Sequence, residues 1–86
     1  MTEKEIKNLM GFNYASYPVS NPLLAGQPQE NGSVSSRKAG GMNVYDGCQN
    51  WIGYFDADGN WNCNGEEDEL KTAWKEAALK VLANNA

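Results

Sequence analysis

Three closely spaced prolines constrain the fold of this chain more than any other feature. Pro18, Pro22 and Pro28 each lack an amide hydrogen and push the preceding residue toward extended geometry, which interrupts a helix or a central strand. No hydrophobic periodicity is visible across residues 12–41, where Asn, Ser, Pro, Gly and Gln dominate. The sequence therefore predicts an irregular arm and a long polar loop over residues 12–41, with regular structure on either side.

The N-terminal segment carries the signals of a short amphipathic helix. Thr2 and Glu5 stand at the spacing of a capping box, and Gly11 can end the helix. Its apolar side chains, which fall on one helical face, are Ile6, Leu9 and Met10. A helix this short is marginal by itself, so we expect its apolar face to pack against the rest of the chain.

A β-hairpin is predicted after the arm. Residues Val44–Tyr45 and Trp51–Phe55 are rich in β-branched and aromatic side chains. Residues Asp56–Asn60 follow with turn chemistry, and the turn is expected near Asp58 and Gly59. Regular alternation would place Trp51, Gly53 and Phe55 on one face of the ribbon, and Ile52 and Tyr54 on the other.

The C-terminal part of the chain predicts a longer amphipathic helix over residues 65–83. Asn64 can cap it, and the acidic run Glu66–Glu69 would occupy its first turn, where the helix dipole favours negative charge. Apolar residues recur at spacings of three and four and form one stripe: Leu70, Trp74, Ala77, Ala78, Val81 and Leu82.

The size of the chain limits it to one small core. A chain of 86 residues with 41% hydrophobic and 21% charged residues has ordinary globular proportions, although its mean hydropathy of -0.65 is low. The sequence therefore predicts a single α+β domain over residues 1–86. Its parts are a short N-terminal helix, an irregular arm, a β-hairpin and a longer C-terminal helix.

Composition also limits the function. The chain has no histidine, which excludes Ser-His-Asp and Cys-His catalytic arrangements and zinc sites built from His ligands. A chain this small also leaves little room for a deep substrate pocket, so we expect no enzymatic activity. The 7 basic and 11 acidic residues give a net charge of -4, which repels nucleic acid and anionic membranes. Neither is expected as a partner.

The N-terminus predicts no secretory signal. Residues Met1–Glu5 are charged, and no apolar stretch follows them. No apolar run approaches the roughly 20 residues of a membrane-spanning helix. These features predict a location in the cytoplasm or within a viral particle.

Oxygen-bearing side chains crowd into the segment that follows the predicted hairpin. Counted from Asp58, the side chains at ligand spacing are Asp58, Asn60, Asn62 and, at the twelfth place, Glu69. This spacing resembles an EF-hand loop, although Cys63 stands where the sharp turn needs glycine and a strand precedes the loop. The segment 56–63 also resembles the Asp-rich turn of Excalibur-type calcium modules. The same residues suit a hairpin turn and an acidic helix start. We therefore expect the protein to have no cofactor, and calcium is the alternative.

The two cysteines, Cys48 and Cys63, flank the predicted hairpin. A bridge between them would stabilise the fold by about 3 kcal/mol through loop closure. A turn centred near Ala57 and Asp58 would place Cys63 opposite Ile52 rather than opposite Cys48, so a bridge would need a bulge or a shifted register. The sequence is compatible with a structural disulfide and with two buried free thiols, and it predicts no catalytic thiol.

A basic, glycine-containing segment stands at residues 35–41. Its hydroxyls, cations and glycine amides could contact a phosphate or a carboxylate. It lacks the order of glycine and lysine that defines a P-loop. A solvated loop is the first interpretation, and an anion contact is the alternative.

Aromatic residues favour recognition of another protein. Aromatics make up 10% of the chain, more than two helices and one hairpin are expected to bury. The predicted partner-binding residues are Tyr14, Tyr17, Tyr45, Trp51 and Tyr54. The function predicted from them is that of an accessory or cement subunit of a larger assembly, such as a phage particle, or of a small inhibitor of a host protein. A calcium-stabilised extracellular module with one disulfide is the alternative, and the sequence does not predict an oligomeric state.

Overall fold

A computed structural model describes residues 2–11, 16–21, 26 and 30–85 of the chain, and the side chain of residue 85 is not described. The elements are α1 (Glu3–Met10), β1 (Tyr17–Ser20), β2 (Asn31–Ser36), β3 (Met42–Tyr45), β4 (Trp51–Phe55), β5 (Trp61–Cys63) and α2 (Glu69–Asn85). The five strands form one antiparallel sheet in the order β1-β2-β3-β4-β5. The predicted α+β class is confirmed.

Helix α1 forms as its capping signals predict. The Thr2 hydroxyl accepts a hydrogen bond from the Glu5 amide at 3.2 Å and donates to the Glu5 carboxylate at 3.1 Å. Leu9 and Met10 are buried in the core. Ile6 packs against the tip of the β4–β5 turn, where its Cγ2 would lie 2.4 Å from a Cβ built on Gly59.

The prediction of an irregular arm over residues 12–41 is wrong for two segments, because strands β1 and β2 both lie within it. Pro18 is tolerated because β1 is an edge strand, which has one side without a neighbouring strand. Val19 and Val34 are completely buried, so the sheet gains apolar packing from a segment that is mostly polar. The burial of these two side chains against distant elements outweighs the low strand propensity of their neighbours.

Glycine at position 32 in β2 lets α2 approach the sheet. A Cβ added to Gly32 would lie 2.7 Å from the Trp74 ring and 2.2 Å from the Tyr45 carbonyl oxygen. Only a residue without a side chain leaves room for that ring. Trp74 is 1% exposed and is the largest fully buried side chain of the described residues.

Strand β4 contains a bulge that changes the predicted division of its faces. Val44 pairs with Gly53 and Tyr45 pairs with Trp51, so Ile52 is the extra residue. The bulge turns Ile52 into the core beside Gly53, whereas Trp51 points to the opposite face with Tyr54. The prediction that Trp51 shares a face with Gly53, and Ile52 with Tyr54, is therefore wrong.

Helix α2 begins at Glu69 rather than at residue 65, and its cap is Asp68 rather than Asn64. The Asp68 carboxylate accepts a hydrogen bond from the Lys71 amide at 2.8 Å. Asn64 instead donates its side-chain amide to the Trp51 carbonyl oxygen at 2.9 Å, which extends the pairing of β4 with β5.

The predicted apolar stripe of α2 is confirmed. Trp74, Ala78 and Leu82 are buried, and the remaining stripe residues are half-buried against the same core cluster. In the described part of the chain, neither helix combines the length and the apolar character that crossing a membrane requires.

Candidate functional site

The two faces of the sheet have different surroundings. Both helices pack against the face that carries Val19, Val34 and Val44, and Trp61 adds its ring to the same face beside Phe55. We call the opposite side the open face, and its residues include Ser33, Ser35, Asn43, Tyr45, Trp51, Tyr54 and Asn62. Neither described helix packs on the open face.

The centre of the open face is formed by three planar groups, which we call the aromatic row: Trp51, Tyr54 and Arg37. The Trp51 and Tyr54 rings are nearly parallel, with an angle of 4° between their planes and 5.9 Å between their centroids. The guanidinium carbon of Arg37 lies 4.0 Å from the centroid of the Tyr54 ring, a cation–π arrangement. Trp51 is 42% exposed.

Hydrogen bonds hold both ends of the aromatic row in place. The Trp51 indole donates from Nε1 to Oδ1 of Asn43 at 3.2 Å. At the other end, Nη1 of Arg37 donates to the carbonyl oxygens of Gly40 at 3.1 Å and Phe55 at 3.5 Å. The row is therefore fixed by the sheet and by the β2–β3 turn before any ligand is present.

Arg37 is a member of the row that the prediction from sequence omitted. Arg37 directly follows β2, whereas Tyr54 lies on β4, two strands away in the sheet. Strand β3 lies between them and pairs with both strands. Ser36 is opposite Met42, and Met42 is opposite Phe55, so the residues next to Ser36 and Phe55 lie near each other. No local motif around residue 37 signals this contact.

The structure brings together three of the predicted partner-binding residues. Tyr45, Trp51 and Tyr54 all lie on the open face. Tyr17 does not join them, because it pairs with Val34 and packs half-buried against the core on the opposite face. Its role in partner binding stays a prediction, separate from the open face. Tyr14 lies outside the described residues.

Two turns of the molecule have the same hydrogen-bonding pattern, in which an aspartate side chain accepts from two backbone amides of the turn. In the β3–β4 turn, Oδ1 of Asp46 accepts from the amides of Cys48 at 2.9 Å and Asn50 at 2.8 Å. In the β4–β5 turn, Oδ1 of Asp56 accepts from the amides two and four residues later, at 3.0 Å and 2.9 Å. The hairpin turn predicted near Asp58 is thus present. Its Asp56 carboxylate accepts hydrogen bonds from the backbone of the same turn.

The predicted calcium ligands do not form one group. Asp58 and Asn60 lie in the β4–β5 turn, where the Asp58 carboxylate is 3.2 Å from the Lys7 ammonium. Asn62 lies within β5 and donates to the Asn60 carbonyl oxygen at 3.1 Å, and Glu69 starts α2 beyond the other end of that strand. Across the described residues, no three Asp, Glu, Cys or His side chains cluster as metal ligands do. Calcium binding stays a prediction.

Both cysteines are thiols in the structure. Cys48 is exposed in the β3–β4 turn, with its Sγ 3.8 Å from a carboxylate oxygen of Glu30. The negative charges of Glu30 and then of Asp46 raise the pKa of the Cys48 thiol above its usual value, which disfavours the reactive thiolate. Cys63 is half-buried on β5 opposite Gly53, one residue away from the predicted register.

The Asp56 turn predicts a pH dependence of stability. The backbone amide of Asn60 donates a hydrogen bond to the Asp56 carboxylate. This bond favours the charged form and is the main reason why the Asp56 pKa lies below its usual value of 3.8. Because the folded-state pKa is depressed, the stabilisation is present above the unfolded pKa and is lost as pH falls through the folded value. We expect Asp56→Asn to flatten the acid limb of the thermal midpoint plotted against pH. Glu76→Gln controls for the loss of one charge, and an unchanged acid limb in Asp56→Asn would contradict the prediction.

The open face can contact a ligand through stacking, cation–π and hydrogen-bonding groups that are already in place. Among the described residues of the row, no nucleophile is paired with a general base. No protein-family model, no curated protein and no solved structure matches this chain.

Proposed function

We propose that this protein is a non-catalytic binding protein whose open face contacts another protein. The observation that carries the proposal is the aromatic row on a sheet face that neither described helix covers, with Trp51 exposed and Tyr54 and Arg37 half-buried. Trp, Tyr and Arg are the residue types that most often supply the binding energy of protein interfaces. The absence of histidine from the sequence supports a function without catalysis.

The rigidity of the row supports the proposal further. Trp51 is held by Asn43 and Tyr54, and Arg37 is held by two carbonyl oxygens. Binding therefore costs little side-chain entropy, because the three planar groups lose few rotamers when a partner docks. Surfaces of this kind bind with high affinity per unit of buried area.

The surroundings of the row resemble the rim of an interface. Ser33, Ser35 and Asn62 lie on the open face around the aromatic centre. These short polar side chains can donate and accept hydrogen bonds or hold bridging water, as the rim of a protein interface does. An apolar centre within a polar rim favours a protein partner that offers both kinds of group.

Two biological settings fit such a protein: an accessory or cement subunit of a larger assembly, including a phage particle, and a small inhibitor of a host protein. An assembly subunit is expected to copurify with a particle of many copies. An inhibitor is expected to be a monomer that binds one target in a stoichiometric complex. Sedimentation of the purified complex distinguishes the two.

The test is capture of the partner with matched baits. Wild type, Trp51→Ala, Tyr54→Ala and Lys80→Ala are used on extract of the native cell, and the retained proteins are identified by mass spectrometry. Lys80 is exposed on α2, away from the open face, and serves as the control. We expect a protein that wild type and Lys80→Ala retain and the two aromatic variants lose.

The affinity for the purified partner then gives the size of the effect. Trp51→Ala is expected to weaken binding by about 2 kcal/mol, roughly thirtyfold in Kd, because the indole lies at the centre of the surface. Circular dichroism must find the variant folded. A partner that binds all four baits with equal affinity would rule out the open face as its docking site.

A further inference from the structure

A second surface, which shares only Arg37 with the aromatic row, gathers positive charge. A cleft of about 430 Å³ lies between the end of α1 and the β2–β3 turn. Its lining includes Lys7, Met10, Ser36, Arg37, Lys38 and Gly41. The described lining contains three basic side chains and no acidic one.

This concentration of charge is unusual for the chain as a whole. The protein has 7 basic residues and a net charge of -4, yet three of the basic side chains surround one cleft. Lys7 has an ion pair with Asp58 at 3.2 Å, whereas Lys38 makes no ion pair with a described residue. Like charges in one concave site repel one another, and an anion bound there would relieve the repulsion.

Arg37 is held so that it can still donate hydrogen bonds. Its face stacks on Tyr54, and its two hydrogen bonds within the described chain both come from Nη1. An arginine has five N–H groups in one plane, so the Nε and Nη2 edge keeps its donors for an oxygen-bearing ligand. The carbonyl contacts fix the direction of that edge.

The β2–β3 turn that carries these cations depends on two glycines. Gly40 and Gly41 have φ values of 97° and 88°, which favour glycine. The Gly41 amide donates to the Met10 carbonyl oxygen at 3.4 Å and so ties the turn to the end of α1. This contact closes one side of the cleft and keeps Lys7 on α1 near Arg37 and Lys38 on the turn.

We propose that this cleft binds an oxyanion, either a phosphate or a carboxylate, between Lys7, Arg37 and Lys38. Arginine supplies directional hydrogen bonds to two oxygens, and the lysines supply charge. A carboxylate from an acidic side chain of a partner protein and a free phosphate share this chemistry. The site shares Arg37 with the aromatic row, but it needs neither Trp51 nor Tyr45.

The test is a two-dimensional ¹H–¹⁵N NMR titration of the full chain at neutral pH and constant ionic strength. One arm uses sodium phosphate and the other uses sodium acetate. We expect saturable shifts of the amides of residues 36–41 and of Lys7. Tighter binding of phosphate identifies a phosphoryl group as the preferred ligand, and tighter binding of acetate identifies a carboxylate.

Two variants with the same change of charge separate a site from general attraction. Lys38→Gln removes a cation of the cleft, and Lys80→Gln removes an exposed cation of α2. We expect Lys38→Gln to weaken the affinity about fivefold and Lys80→Gln to leave it unchanged. Shifts that do not saturate with either anion, or an equal loss in both variants, would overturn the proposal. Neither result bears on the capture experiment with Trp51→Ala, because Trp51 does not line the cleft.

Discussion

Replacing Trp74 with Ala is expected to remove a large share of the stability of the fold. The indole is 1% exposed and packs where Gly32 leaves room for it, between α2 and the sheet. Truncating a buried tryptophan costs about 4 kcal/mol, since the apolar contacts are lost and a cavity remains. A domain of this size has a free energy of unfolding of roughly 5–10 kcal/mol, so the variant should retain only about 1–6 kcal/mol and unfold at a much lower urea concentration.

Urea denaturation followed by circular dichroism measures this effect. Trp51→Ala is the matched control, because it makes the same truncation at a tryptophan on the open face. The free energy of unfolding of Trp51→Ala should fall by about 1 kcal/mol, because the stacking on Tyr54 and the hydrogen bond to Asn43 are lost. Equal losses in the two variants would mean that Trp74 is not the centre of the core.

Replacing Gly41 with Ala is expected to cost about 3 kcal/mol or more. Its φ of 88° lies in the left-handed region, where a side chain is strained. A Cβ at this position would also lie only 1.9 Å from the Phe55 carbonyl oxygen, which belongs to the backbone of β4 and cannot move without disturbing the sheet.

Gly26 provides a control that separates strain from steric clash. Its φ of 83° is similar, but a Cβ added there would meet no atom of the described residues within 4 Å. Gly26→Ala should therefore cost only about 1 kcal/mol, the conformational part of the effect. The thermal midpoints of the two variants give the comparison, and a Gly41→Ala variant as stable as Gly26→Ala would refute the close approach to Phe55.

The helices were predictable because their signals are local. Thr2 and Glu5 lie three residues apart and cap α1 as their spacing indicates, and the stripe of α2 buries Trp74. The predicted start of α2, at residue 65 with Asn64 as its cap, is wrong, since the helix begins at Glu69. Asp68 caps the helix because Asn64 is engaged by the carbonyl oxygen of Trp51, a contact between strands that the local sequence does not encode.

Strands β1 and β2 could not be predicted from their own residues. Polar side chains and Pro18 argue against a strand, and the burial of Val19 and Val34 depends on α2, which lies far along the chain. The same limit applies to the bulge in β4. Trp51 and Tyr54 are three residues apart, so regular alternation separates them, and only the offset pairing with β3 brings them to one face.

The order of the strands in the sheet has a kinetic consequence. Every strand pairs with the strand that precedes or follows it in the chain, so each pairing closes a short loop. Folding speed falls as the sequence separation of contacting residues grows. This sheet can therefore assemble hairpin by hairpin with little loop-closure entropy lost at each step, and the contacts of α2 with α1 and β1 close the longest loops of the described chain.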